Sequence, residues 1–176
     1  MLGELDAAAI ESLLLNEVTG RIGCHAQGRT YVVPITYAYE SGSVYGHSTE
    51  GLKLRMMREN PLVCFQVDRV RGPADWESVI AWGEFEELKG ARAIEGFNLL
   101  MRRGRLPPGS NVHPSCVLRG TGPLASSEDG RTILTYRIAL SEKTGRYERN
   151  GSRAPRTVRS DAASVPGGIS VNSVQL

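Results

Sequence analysis

The sequence lacks a long apolar run, an excess of positive or negative charge and a paired set of cysteines. No stretch approaches the ~18 consecutive apolar residues of a membrane-spanning helix, although 40% of the 176 residues are hydrophobic. The 21 Lys and Arg residues against 19 Asp and Glu leave a formal net charge of +2. We therefore exclude a membrane-spanning protein, and electrostatics gives no reason to expect nucleic acid or an anionic membrane as a partner.

The three cysteines are Cys24, Cys64 and Cys116, an odd number at irregular spacing. This pattern fits neither a disulfide framework nor a paired zinc motif, and a reducing compartment is its simplest setting. The segment from Met1 to Asp6 carries two acids and no basic residue, unlike a secretory signal. We expect a cytoplasmic protein.

The length fits one domain followed by a tail. We place the domain at residues 1–149. Residues 150–176 contain no aromatic residue and are rich in Gly, Ser and Arg, which is typical of a flexible segment.

Helical and period-two patterns alternate along the domain. Asp6 is a suitable N-cap for a first helix with an apolar stripe at Ile10, Leu13, Leu14 and Val18, which Gly20 would end. Two further helices are predicted at Gly51 to Asn60 and Gly90 to Arg105. Six strands are predicted, at Arg21 to Gln27, Thr30 to Glu40, Ser43 to Ser48, Leu62 to Val70, Glu77 to Glu87 and Thr132 to Leu140.

A proline interrupts the strongest of these strands, Tyr31-Val32-Val33-Pro34-Ile35-Thr36-Tyr37. Proline has no amide hydrogen, so this strand must bulge or lie at a sheet edge. Backbone groups beside Pro34 would then be available to a ligand. A plain edge strand explains the proline equally well.

A second pattern, His47-Ser48-Thr49-Glu50-Gly51-Leu52-Lys53, runs from a strand end into a helix start. Hydroxyls, free helix N-terminal amides and an ammonium group together suit a phosphate dianion. The alternative is that Ser48 or Thr49 only caps the helix.

A third pattern places Ser78, Ile80, Trp82 and Glu84 on one face of a strand. Trp82 next to Gly83 would form a flat apolar wall beside a cofactor. A tryptophan in a strand also serves as core or as a subunit contact.

In this order, the segments resemble the FMN-binding split β-barrel superfamily of pyridoxamine 5'-phosphate oxidase, and in particular its nitroimidazole-reductase-like branch. The resemblance extends from about Glu17 to Tyr147. The segments that carry it are Gly20 to His25, Pro34 to Tyr39, His47-Ser48, Lys53-Leu54, Glu59-Asn60-Pro61, Val63-Cys64-Phe65, Ser78 to Gly83 and Ile138 to Arg146.

The resemblance implies a mainly β, Greek-key-like split barrel of six strands, paired as a homodimer with FMN in each of two clefts between subunits. The residues implied to lie along the flavin ring are Val33, Pro34, Ile35 and Thr36. Those implied to hold the phosphate are His47, Ser48 and Lys53, and those implied to reach the flavin from the partner are Ser78 and Trp82.

Two positions depart from the oxidase pattern. The family's arginine-lysine pair at the phosphate is Leu52-Lys53 here, and Thr36 replaces the lysine that ends the ring-strand motif. We also find no counterpart of the oxidase's C-terminal substrate-binding segment in the tail. Oxidation of pyridoxamine phosphate is therefore not the expected reaction.

We expect an FMN-dependent oxidoreductase acting on a small flat substrate, with a nicotinamide as a possible electron donor. A non-catalytic flavin or haem binder and a deazaflavin-dependent reductase are the alternatives. Cys24, His25, His113 and Cys116 could in principle supply a zinc site, but adjacent Cys24 and His25 on a strand point to opposite faces, and no metal site is expected.

Overall fold

The computed structural model describes residues 1–103 and 133–149. This part of the chain contains eight strands and three helices. The strands are β1 (Leu2–Glu4), β2 (Thr19–Ala26), β3 (Arg29–Thr36), β4 (Ala38–Glu40), β5 (Ser43–Thr49), β6 (Leu62–Gly72), β7 (Asp75–Glu87) and β8 (Ile133–Glu148). The helices are α1 (Ala7–Asn16), α2 (Leu52–Glu59) and α3 (Gly90–Arg103).

The strands form one antiparallel sheet in the order β3-β2-β6-β7-β8-β5-β4, and β1 pairs with β8. The two ends of this path, β3 and β4, are consecutive in the chain and are separated only by Tyr37. The sheet therefore curls back on itself, but in the described residues no ladder joins β3 to β4 to close a barrel. The predicted mainly β fold is confirmed. The described residues contain eight strands rather than the six predicted, because β1 was not predicted and β4 is separate from β3.

Tyr37 explains why the predicted strand from Thr30 to Glu40 divides into β3 and β4. Its amide donates to the Val18 carbonyl at 3.0 Å, and its hydroxyl donates to the Leu14 carbonyl at 2.9 Å. Its ring packs edge-on against Phe65 at a centroid distance of 4.9 Å. These contacts fix the bend between the two ends of the sheet to the core and to α1.

The core lies inside the curled sheet and under α1. Its fully buried residues come from most of the strands and from α1 and α2, and they include Ile22, Phe65, Val44, Val79, Ile138, Leu13, Leu14, Leu54 and Met57. Alternation along β7 is as predicted, since Val79, Ala81 and Phe85 are buried while Ile80 and Trp82 are exposed.

The first helix begins where the sequence predicts and ends earlier. Asp6 caps α1 by accepting a hydrogen bond from the Ala9 amide at 2.8 Å. The prediction that Gly20 ends this helix is wrong, because α1 ends at Asn16 and Gly20 lies within β2. A Cβ at Gly20 would lie 2.5 Å from the Phe65 ring, so close packing rather than helix termination requires glycine here.

The later elements are longer or shorter than predicted. Strand β8 continues eight residues past the predicted end at Leu140, to Glu148, because β7 and then β1 pair with its second half. The described part of α3 ends at Arg103. The predicted tail at residues 150–176, together with His113 and Cys116, lies outside the described residues. In the described ranges, no helix has the length and apolar character needed to span a membrane.

Candidate functional site

Strand β3 is the terminal strand of the sheet path, so one of its edges faces no other strand in the described residues. The β2–β3 turn has two residues, Gln27 and Gly28, both with positive φ, as in a tight hairpin. No register shift interrupts the ladder, in which Pro34 lies opposite Arg21. Pro34 thus lies in an edge strand without a bulge.

The hydrogen-bond alternation of this hairpin decides which backbone groups are available. In an antiparallel pair, alternate residues direct both N–H and C=O toward the partner strand. Counting back from the bond between the Tyr37 amide and Val18, Val33 and Ile35 bond to β2, whereas Pro34 and Thr36 face the free edge. The missing amide hydrogen of Pro34 therefore removes no ladder bond.

This hydrogen-bond pattern reduces the number of predicted ring-strand residues whose backbone groups are available to a ligand. Of the four predicted residues, only Thr36 has an amide hydrogen at the free edge, and the carbonyls of Pro34 and Thr36 accompany it. The backbone groups of Val33 and Ile35 are committed to β2, and the Ile35 side chain is buried. The sequence predicted the correct strand, but it did not show which of its residues face outward.

The N-terminus of α2 has no side-chain cap. Gly51 occupies the N-cap position, and no side chain in residues 1–103 or 133–149 caps the first-turn amides. The Ser48 hydroxyl instead donates to the Thr49 carbonyl at 2.9 Å. The alternative in which Ser48 or Thr49 caps the helix is therefore wrong, and these amides remain without a side-chain acceptor in the described part of the chain.

Lys53 lies in the first turn of the same helix. Its ammonium nitrogen is 5.6 Å from the centroid of the Tyr136 ring. Burial lowers its pKa, and the nearby Cys24 thiol opposes this shift. Among the described residues, no carboxylate lies within ion-pair distance of Lys53, in contrast to Arg58 one turn later, which binds both Glu50 and Glu87.

His47 precedes this turn on β5, opposite Thr135 of β8. Strand alternation directs its side chain to the face opposite that of Ser48. Burial lowers the pKa of His47, and the positive charge of Lys53 lowers it further. Both effects favour the neutral imidazole, and His47 lies within electrostatic range of Lys53.

Ser78 and Trp82 lie elsewhere on the sheet. Both are on β7, where the Ser78 hydroxyl accepts a hydrogen bond from Gln66 at 3.2 Å and Trp82 is 41% exposed. Three strand spacings separate β7 from β3, a distance of about 14 Å. Within one chain, the structure does not bring these two side chains to the free edge of β3.

Trp82 belongs to an apolar surface, here called the outer face, formed by Val32, Pro34, Leu62, Ile80 and Trp82. The register places Val32, Gly23, Cys64 and Trp82 in one row across four strands. Val32 is 59% and Leu62 69% exposed. A single chain therefore presents an apolar row of Val32, Cys64 and Trp82 on one side of its sheet, while Arg21 and Gln66 lie between Pro34 and Ile80 in the next row.

Sequence reasoning missed a cleft between the β2–β3 turn and α2. It has a volume of about 350 Å³, and Arg29, Tyr31, Leu52, Arg55 and Met56 are among the residues that line it. Its α2 residues recur at helical spacing, a pattern that could have revealed this face of the helix. We call it the α2 cleft.

A larger cleft of about 900 Å³ lies between α3 and strands β4, β5 and β8. Two of its arginines, Arg92 and Arg137, are both paired with Glu86. Both arginines are therefore already engaged, although they share one carboxylate. Among the described residues, no group of three or more His, Cys, Asp or Glu side chains is placed to hold a metal ion.

Comparisons with known proteins converge on one family. The family model described as pyridoxamine 5'-phosphate oxidase matches residues 6–147. An uncharacterised protein of Rhizobium meliloti (strain 1021) is 37% identical over 133 residues, which cover 72% of this chain and 82% of that protein.

Solved structures show the same fold. An FAD-binding protein from Mesorhizobium loti matches with a TM-score of 0.68 and 25% identity, covering 85% of this chain and 98% of that chain. A proposed 5-nitroimidazole antibiotic resistance protein from Bacteroides thetaiotaomicron matches with a TM-score of 0.59 and 21% identity, covering 84% and 87% of the two chains. The second likeness concerns the fold alone.

Proposed function

The chain belongs to the pyridoxamine 5'-phosphate oxidase family, and from that membership we propose that it is a flavin-dependent oxidoreductase that binds the FMN moiety of its cofactor and works as a homodimer. The observation that carries this proposal is Lys53, a half-buried cation without a carboxylate partner in the described residues, at the uncapped N-terminus of α2. A buried charge requires a counterion, and a phosphate at this position would supply it.

The residues present fit a flavin phosphate. The first-turn amides of α2 and the Lys53 ammonium offer donors to anionic oxygens. The Ser48 hydroxyl would join them only by giving up its hydrogen bond to the Thr49 carbonyl. His47 is within electrostatic range and would become more basic next to a dianion. This donor set accepts a phosphate without any displacement of an existing ion pair.

The free edge of β3 fits the polar edge of the flavin ring. Thr36 offers an amide donor and a hydroxyl there, and Pro34 offers a carbonyl acceptor. When bound, the flavin supplies two-electron transfer between an electron donor and a substrate. The Thr36 donors would then stabilise negative charge that develops at the ring edge, since fixed dipoles need no reorganisation.

The outer face supports a homodimer. A two-fold interface buries the same patch of both subunits, and exposed apolar residues such as Val32, Leu62 and Trp82 are suited to such burial. Ser78 and Trp82 lie about 14 Å from β3 of their own chain, so they would reach a flavin on β3 only from the partner subunit. A second copy of this chain is therefore the proposed occupant of the outer face, with a small flat substrate stacked on the exposed ring.

Titration of the purified protein with FMN, followed by flavin fluorescence and visible absorbance, tests binding. We expect quenching that saturates at one flavin per chain, with weaker binding of riboflavin because it lacks the phosphate. Anaerobic addition of a reduced nicotinamide should bleach the flavin bands. Bound flavin that no reduced nicotinamide bleaches would support a non-catalytic carrier instead. A protein that binds neither FMN nor riboflavin would refute the proposal.

The dimer is tested by Ile80→Glu, which places a charge in the outer face between Ser78 and Trp82 and leaves the flavin contacts on β3 and α2 unchanged. We expect light scattering to show a dimer for the wild type and a monomer for this variant, with loss of flavin affinity. Leu15→Glu, at an exposed apolar position on α1, is the matched control and should remain dimeric. A monomeric wild type that binds flavin would contradict the partner roles of Ser78 and Trp82.

A further inference from the structure

The α2 cleft has the charge pattern of a second phosphate site. Arg29 and Arg55 both line it, and neither has a carboxylate within ion-pair distance in the described residues. Among the described residues, the one acid that lines it is Glu59, which accepts a hydrogen bond from Gln27 at 3.0 Å. Arg58, on another face of the same helix, is bound by two glutamates.

We propose that the α2 cleft binds the second phosphate and the nucleoside of a dinucleotide flavin, so that the chain takes FAD in preference to FMN. The inference rests on the proposed function, because it extends the ligand held at Lys53. Nothing in it requires the outer face or the dimer.

The cleft adjoins the first phosphate site. Leu52, which lines the cleft, precedes Lys53 at the start of α2. On the other wall, the Tyr31 carbonyl accepts a hydrogen bond from the Cys24 thiol at 3.5 Å. Burial raises the pKa of Cys24 and the charge of Lys53 opposes that shift, so this wall lies within electrostatic range of Lys53.

The distribution of charge favours a diester over a monoester. The terminal phosphate of FMN concentrates up to two negative charges at one point, where this chain has Lys53 but leucine at position 52. In FAD each phosphate carries one charge. Lys53 would match the first phosphate, and Arg29 with Arg55 would match the second.

The remaining wall suits a nucleoside. Tyr31 contributes a half-buried ring and Met56 a buried apolar side chain, surfaces on which a base can pack. From Leu52 to Glu59, α2 runs roughly 10 Å along the cleft. A volume of about 350 Å³ falls within the range of small-molecule sites.

The test compares FAD, FMN and AMP on the full-length protein by isothermal titration calorimetry. We expect FAD to bind at least about tenfold more tightly than FMN, because the second phosphate gains charge-assisted hydrogen bonds. AMP, which has only the second phosphate and the nucleoside, should compete with FAD and leave FMN binding unchanged. Equal affinity for the two flavins would overturn the inference and leave the proposed function intact, whereas binding of neither would overturn both.

The double variant R29Q/R55Q tests whether the preference for FAD over FMN comes from the α2 cleft. Both residues are exposed, so the variant should fold, and circular dichroism checks this. We expect a loss of FAD affinity of about 10- to 100-fold with FMN affinity within about twofold of wild type. Arg102→Gln is the control, an exposed arginine on α3 that also lacks a carboxylate partner in the described residues, and it should change neither affinity. An equal loss for both flavins, or none, would refute the assignment.

Discussion

Replacing Lys53 with methionine should weaken flavin binding and leave the apoprotein at least as stable as wild type. Methionine keeps the length and apolar character of the side chain and removes its charge. A charge-assisted hydrogen bond to phosphate contributes about 1.5 to 3 kcal/mol, so the dissociation constant should rise by about 10- to 150-fold. Riboflavin, which has no phosphate, should bind the variant and wild type alike.

The effect on stability has the opposite sign for a physical reason. Burial lowers the pKa of Lys53 in the folded state, so the charged form is disfavoured there relative to the unfolded chain. Below the folded-state pKa the full penalty applies, and wild-type stability rises as pH increases from that pKa toward the unfolded value. The stability advantage of the methionine variant should therefore shrink in alkaline solution.

Flavin fluorescence titrations and urea unfolding of the apoprotein measure both effects. Lys89→Met is a suitable control, because Lys89 is exposed and lies between β7 and α3. It should leave the flavin affinity and the free energy of unfolding within about 0.5 kcal/mol of wild type. A Lys53 variant that loses stability but binds FMN normally would refute the reasoning and make Lys53 a structural residue.

Two further predictions concern the packing beneath this lysine. Gly46→Ala would place a Cβ 2.4 Å from the fully buried Tyr136 ring. It should lower the free energy of unfolding, measured by urea denaturation, by about 1 to 3 kcal/mol. Gly72→Ala is the control, because Gly72 has open space around it, and it should leave the free energy of unfolding almost unchanged. Tyr136→Phe removes a buried hydroxyl that has no hydrogen-bond partner in the described residues, and should raise the thermal midpoint by a few degrees. A lower midpoint for Tyr136→Phe would show that the hydroxyl has a stabilising partner.

The sequence predicted most of the fold because its elements carry strong local signals. Alternation in β7 and the Asp6 cap of α1 depend only on neighbouring residues. The break at Tyr37 could not be read in this way, because it depends on contacts with Val18, Leu14 and Phe65 from other elements. The misplaced role of Gly20 has the same origin, since the Phe65 ring that excludes a side chain there is distant in sequence.

The candidate site was predictable only in part. Types and spacing of residues pointed to Lys53 and the strand around Pro34. Hydrogen-bond alternation, which decides that Thr36 rather than Ile35 faces the free edge, required the strand register. That Arg29 and Arg55 line one cleft and lack a carboxylate partner among the described residues depends on the positions of distant residues, which no local pattern contains.

The most direct test of the central claim is residue-resolved amide hydrogen exchange by NMR, with and without bound flavin. The account predicts slower exchange for the amides of Leu52, Lys53 and Thr36 when flavin binds. The Ile35 amide, already bonded to β2, should change little. Protection confined to other elements, such as α3, with Leu52, Lys53 and Thr36 unchanged would contradict the proposed site.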